Sequence, residues 1–152
     1  MKKFKLLSLA LSLSLLVILS ACGSEEKATE TNLKICPQCH MELPKSNIHT
    51  AILDEDNNTH YFDDPGCLIL WANSKKIDLK NADVKIFSND TKRYIDAHKA
   101  FYKINEKTPM LYGFSAYENT QEGSINFDEV IIRMLRGEHM ANPKIRKQIL
   151  GY

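Results

Sequence analysis

The tetrapeptide Leu19-Ser20-Ala21-Cys22 closes an apolar stretch that begins at Leu6, behind the basic opening Met1-Lys2-Lys3-Phe4-Lys5. The stretch is too short for a stable membrane span and has the length of a signal-peptide core. Small residues ahead of a cysteine form a lipoprotein processing box. Residues 1–21 are therefore expected to be removed and Cys22 to be lipidated, with two or more acyl chains giving a stable anchor. The alternative is an ordinary secretory signal followed by a chance cysteine. Gly23, not an aspartate, follows Cys22. The expected address is the periplasmic side of an outer membrane, or the outer face of the cell membrane where there is only one.

That address constrains the cysteines that remain, Cys36, Cys39 and Cys67. An odd number of thiols in an oxidising compartment cannot all be paired within one chain. At least one is free, bonded to another molecule or bound to a metal, and metal binding gains weight. The processed chain keeps 131 of the 152 residues, enough for one domain. It carries 17 basic against 19 acidic residues, since three of the 20 Lys and Arg precede the box. So neutral a balance excludes nucleic acid as an expected partner. Residues 22–34, the lipidated cysteine and a polar run after it, read as a flexible tether.

The pattern of residues predicts α+β architecture. Ile48–Leu53 and Thr59–Phe62 read as a hairpin around the turn cluster Asp54–Asn58. Asp64 is placed as the N-cap of a helix with Pro65 at its first position, running to about Ala72. Val84–Phe87 reads as a strand. Tyr94-Ile95, Phe101–Ile104 and Leu111–Tyr117 read as further strands. A helix follows from Asn126, with Glu129 as capping-box partner and Gly137 as its stop. Its Phe127, Val130, Ile131, Met134 and Leu135 have the spacing of one buried face. Two related strand-strand-helix-strand units and a small, mostly antiparallel sheet follow, over residues 35–137, with a tail of residues 138–152 that has the character of a short amphipathic helix.

The chemistry concentrates in Cys36-Pro37-Gln38-Cys39-His40-Met41. Thiolate, thioether and imidazole are the donors that Cu(I) prefers. In an extended Cys39-His40-Met41, the two sulfurs project to one side and can close on one ion, with His40 on the other side. Cys36 supplies a second thiolate. Cys67, in the first turn of the helix capped by Asp64, is expected either as a thiolate favoured by the helix dipole or as a small buried core residue. Asp63 and Asp64 read as turn formers and caps. Other readings of the same segment stand open. Cys36-x-x-Cys39-His40 is the attachment pattern of haem c, with His40 axial. Cys36 and Cys39 can form a thiol–disulfide redox pair or a structural disulfide. Cys36, Cys39, Cys67 and a histidine can close a structural zinc site. His49, His60 and His98 are dispersed, and Met110 reads as core. No nucleophile triad, phosphate-cradling loop or catalytic carboxylate pair is present, so the expectation is a non-enzymatic protein.

Several pieces in order resemble one family. They are the lipidation box, Cys39-x-Met41, Tyr61-Phe62-Asp63-Asp64-x-Gly66-Cys67, Trp71, Tyr94-Ile95-Asp96-Ala97 and Pro109-Met110-x-Tyr112-Gly113-Phe114-x-Ala116. Over roughly residues 19–117 the chain is similar to the NosL lipoproteins encoded with nitrous-oxide reductase, a denitrification enzyme. The resemblance implies an anchored Cu(I) metallochaperone of two ββαβ-type units that supplies copper to nitrous-oxide reductase or another copper acceptor. It implies Cys39 and Met41 as copper ligands, with a histidine as third. Two departures accompany it. Cys39-His40-Met41 stands where relatives commonly have Cys-Gly-Met, and Glu118–Ser124 is short where they usually carry a helix and a glycine turn.

Overall fold

The computed structural model describes residues 33–55 and 57–151. The expected signal segment, Cys22 and most of the tether lie outside them. The fold is α+β. Strands β1 (Ala51–Glu55) and β2 (Asn58–Phe62) form the expected hairpin, and β3 (Asp83–Phe87) and β4 (Tyr94–Asp96) complete a four-stranded antiparallel sheet in the order β2-β1-β3-β4. Helix α1 (Pro65–Lys75) connects β2 to β3. In β1, Ala51 and Leu53 are buried on one face, and their partners in β3 are Ile86 and Val84. Alternate residues of a strand share a face, so these four make a continuous apolar layer. Leu68, Ile69 and Ala72 of α1 are buried in the same core, and each large aliphatic there contributes about 1.5–3 kcal/mol by leaving water.

The second half repeats this unit only in part. Strands β5 (Phe101–Lys103) and β6 (Ser115–Tyr117) form a separate two-stranded ribbon. Helix α2 (Phe127–Arg136) follows, and among the described residues no strand comes after it, only helix α3 (Pro143–Leu150). The Tyr94-Ile95 strand, read as opening a second unit, pairs with β3 in the first sheet. The expected Leu111–Tyr117 strand is reduced to its last three residues, because Leu111 (φ 57°) and Gly113 (φ 91°) leave the extended region. Tyr102 ties the ribbon to the rest: its ring stacks on Phe127 at 5.7 Å and its hydroxyl donates to the Ala97 carbonyl at 3.0 Å.

Local signals set the helix ends. Asn126 Oδ1 accepts from the Glu129 amide at 2.9 Å, and Gly137 closes α2 in the left-handed region. The Glu129 side chain binds Arg133 at 2.8 Å, so the reciprocal half of the capping box is absent. Leu135, expected on the buried face of α2, is 47% exposed. The apolar stripe is wider than the surface that covers it. No helix among the described residues is long and apolar enough to cross a membrane.

One turn carries its own test. Partial burial pushes the Asp90 carboxyl up, but it is outweighed by hydrogen bonds from Ser88 Oγ, the Glu118 and Asn119 amides and Asn119 Nδ2, which hold it well below the usual carboxylate range. A depressed carboxyl stabilises the fold above its unfolded pKa of about 4 and loses that contribution as pH falls through the folded value. Asp90→Ala is expected to lower unfolding free energy in urea by about 1–2 kcal/mol at neutral pH, with the difference closing below about pH 4. An equal loss at acid and neutral pH would show that the carboxylate charge is not what holds this turn.

Candidate metal centre

The segment rich in sulfur donors is a tight hairpin end. The Leu43 amide donates to Lys34 O at 3.0 Å, Ile35 pairs with Glu42, and the Cys36 amide donates to Met41 O at 2.9 Å. The His40 amide returns to Cys36 O at 2.9 Å, and His40 itself is left-handed at φ 62°. The extended Cys39-His40-Met41 expected from the sequence is therefore not formed: the chain reverses at His40. Met41 is 47% exposed.

The other half of the centre comes from the start of α1. Asp64 Oδ1 accepts from the Gly66 amide at 2.8 Å, as expected of the N-cap. Its Oδ2 accepts from the Met110 amide at 3.2 Å, which fastens the Thr108–Gly113 loop to the same point. The Cys67 amide bonds Asp64 O at 3.0 Å, so Cys67 is fixed in the first helical turn while Asp63 stands just before the cap. Gly66 is required there. A Cβ would lie 2.2 Å from Cδ2 of Tyr112, whose ring rests against this turn.

These two pieces bring Cys36, Cys39, Cys67 and Asp63 together. Their three sulfurs and a carboxylate oxygen all lie within 4.8 Å of one another, a cluster able to hold a metal ion. All three cysteines are free thiols. Cys36 and Cys67 are buried, Cys39 is partly buried, and Asp63 is 1% exposed. Cys39 Sγ donates to Asp63 Oδ1 at 3.2 Å, while the buried Asp63 Oδ2 has no hydrogen-bond partner. An unpaired buried carboxylate oxygen is costly, and a cation beside it removes the cost.

The thiols divide the charge unevenly. The Cys67 thiol donating to Cys36 brings the Cys36 pKa down to about 6 against the opposing effect of burial, with the Cys39 and Asp63 amides adding to the lowering. Cys67 is raised by that same hydrogen bond and by burial. Burial, together with the Asp63 carboxylate, pushes Cys39 up to about 12 against the lowering from the Met41 amide. Of the two expectations for Cys67, the raised pKa and full burial go against the dipole-favoured thiolate and with the small buried residue, while the lowered thiol of the set is Cys36. Burial, with the Asp64 and Asp63 carboxylates adding to it, pushes the Tyr112 phenol up to about 12, and its ring lies against Gly66 beside the cluster.

The structure thus unites Cys36, Cys39 and Cys67 of the predicted residues. Asp63, read as a turn former, joins them, and no local sequence signal singled it out. Among the described residues no histidine joins the cluster. His49 meets Ser115 at 3.3 Å, His60 lies on Trp71 at 4.5 Å, and His98 approaches Ala82 O at 3.3 Å. Met110 packs against the core. For haem c the geometry is unhelpful, since Cys36 is buried beside Cys67 and the exposed His40 lies across a chain reversal. Comparison with protein-family models and with curated proteins gives no match.

Proposed function

We propose that this protein is a lipid-anchored Cu(I) metallochaperone of the NosL kind, holding the ion among Cys36, Cys39 and Cys67. It passes copper to an acceptor such as nitrous-oxide reductase. The observation that carries this reading is the convergence of three free thiols from two separate chain segments. Cu(I) is soft and favours thiolate donors at low coordination number. Cys36 as the most acidic thiol engages first, and Cys39, the most solvent-accessible of the three, is where an acceptor thiol can begin ligand exchange. Met41, exposed across the hairpin from Cys36, supplies a thioether to the departing ion. The work is binding and transfer, without catalysis. The Cys22 anchor holds the domain at the periplasmic side of the outer membrane, or on the cell surface of a single-membrane host.

One observation favours a second reading. Asp63 offers a hard oxygen donor beside three sulfurs, which is a closed four-ligand set suited to Zn(II). The two separate on one experiment: anaerobic competition titrations of the reduced, unlipidated chain with Cu(I) and Zn(II), wild type against Asp63→Asn. For the copper reading, Cu(I) binds stoichiometrically and the substitution changes its affinity by less than about tenfold, whereas Zn(II) affinity falls by about a hundredfold. Tight Zn(II) binding with no competition for Cu(I) makes the site a structural zinc centre and ends the chaperone reading.

A further inference from the structure

Among the described residues, four of the eight exposed large hydrophobic residues, Ile132, Leu135, Ile149 and Leu150, fall in one short C-terminal stretch, residues 132–150. That stretch also carries five of the chain's 20 basic residues, Arg133, Arg136, Lys144, Arg146 and Lys147, and a single acid, Glu138. The acidic excess of the rest of the processed chain is therefore concentrated away from it. Arg133 is committed to Glu129 at 2.8 Å, and none of the other four cations takes part in an ion pair among the described residues. Helix α3 is capped at both ends, by Asn142 and by left-handed Gly151, so it is a defined helix with no buried residue. On its 3.6-residue period Ile145 and Ile149 share one side, and both line a cavity of about 440 Å³ with Ile104, Tyr112 and Phe114. Leu150, 48% exposed, projects instead between Arg146 and Lys147.

We propose that α3 is a docking surface for anionic phospholipid. An aliphatic side chain set between unpaired cations on a short helix is the composition of an interfacial helix: the cations meet headgroup phosphate and the aliphatic enters the headgroup–acyl boundary. An acidic protein surface would satisfy the cations but leaves Leu150 without a reason to face outward among them. The proposal rests on the reading of Cys22 as an anchor, which keeps the domain within a short tether of a bilayer and makes a weak surface interaction effective. Its consequence is orientation: lipid contact through α3 fixes which way the metal centre faces.

The test uses the processed chain with Cys22→Ser, which cannot be acylated, sedimented with vesicles of phosphatidylethanolamine with or without phosphatidylglycerol, at millimolar lipid and low salt. Binding to the anionic vesicles only, lost in 0.5 M salt, is expected. In Lys144→Gln/Arg146→Gln/Lys147→Gln the partition coefficient falls by about a hundredfold, about fivefold per charge. Leu150→Ser reduces it with the charges intact, and an unchanged cooperative urea unfolding transition in each variant shows that the domain is folded. No sedimentation with anionic vesicles, equal binding to the neutral ones, or full binding by the triple variant overturns the proposal. In the first case, the cations serve an acidic protein. Mass measurement of the native Cys22-containing protein reports acylation separately, so failure of the anchor and failure of the surface are distinct results.

Discussion

Cys67→Ala is expected to weaken metal binding by about a hundredfold or more, the effect of losing a ligand being at least that of losing a residue that orients one. Cys67 is buried, fixed in the first turn of α1, and its sulfur lies with those of Cys36 and Cys39. Its removal also takes the hydrogen bond that makes Cys36 the most acidic thiol, so Cu(I) titration should start later and end at lower affinity. Met41→Leu is expected to change equilibrium affinity by less than about tenfold and to slow transfer to an acceptor. The measurement is anaerobic competition with a chromophoric chelator. Unchanged affinity in Cys67→Ala together with loss in Met41→Leu would return the site to the Cys39–Met41 pair and make Cys67 a core residue.

Phe62→Ala is expected to lower unfolding free energy by about 3–5 kcal/mol. Phe62 ends β2 opposite Ala51, is buried, and meets the Trp71 ring at 5.6 Å. The total stability of such a domain is about 5–15 kcal/mol, so this one side chain is a large part of it. Because Asp63 follows directly, the same cavity loosens one wall of the metal centre. Stoichiometric metal should then recover part of the lost stability, since an ion that binds only the folded chain shifts the equilibrium toward it. Urea unfolding with and without metal checks both statements. A loss below about 1 kcal/mol would place Phe62 outside the tightly packed core.

The features legible in the sequence were those decided within a few residues. Asp64-Pro65 marks the start of α1, Asn126 and Gly137 bracket α2, and the turn cluster before Thr59 makes a hairpin, because caps and turns are satisfied by near neighbours. The cysteines were legible as a set because an odd thiol count in a chain read as exported calls for an explanation. What the sequence hid depends on distant partners. The extended reading of Cys39-His40-Met41 failed because one residue, His40, takes a left-handed conformation stabilised by a hairpin whose other strand begins at Lys34. Asp63 looked like half of a capping pair because nothing local distinguishes a carboxylate that caps a helix from one facing three thiols. Leu135 had the spacing of a core residue, but how much of a helix is covered is set by its neighbours and not by its own period.

The centre joins a terminal hairpin, Lys34–Leu43, to the body of the domain at α1. Few backbone pairs hold that hairpin, whereas an ion bound by Cys36, Cys39 and Cys67 works as a reversible staple across a long loop of chain. Loading and fastening are then one event. On the proposed function, an acceptor that draws the metal out also releases the segment on the tether side of the domain, so an emptied carrier would differ from a laden one in the freedom with which it can swing. Protease sensitivity near Lys34 and Lys45 would be the visible sign of an empty carrier.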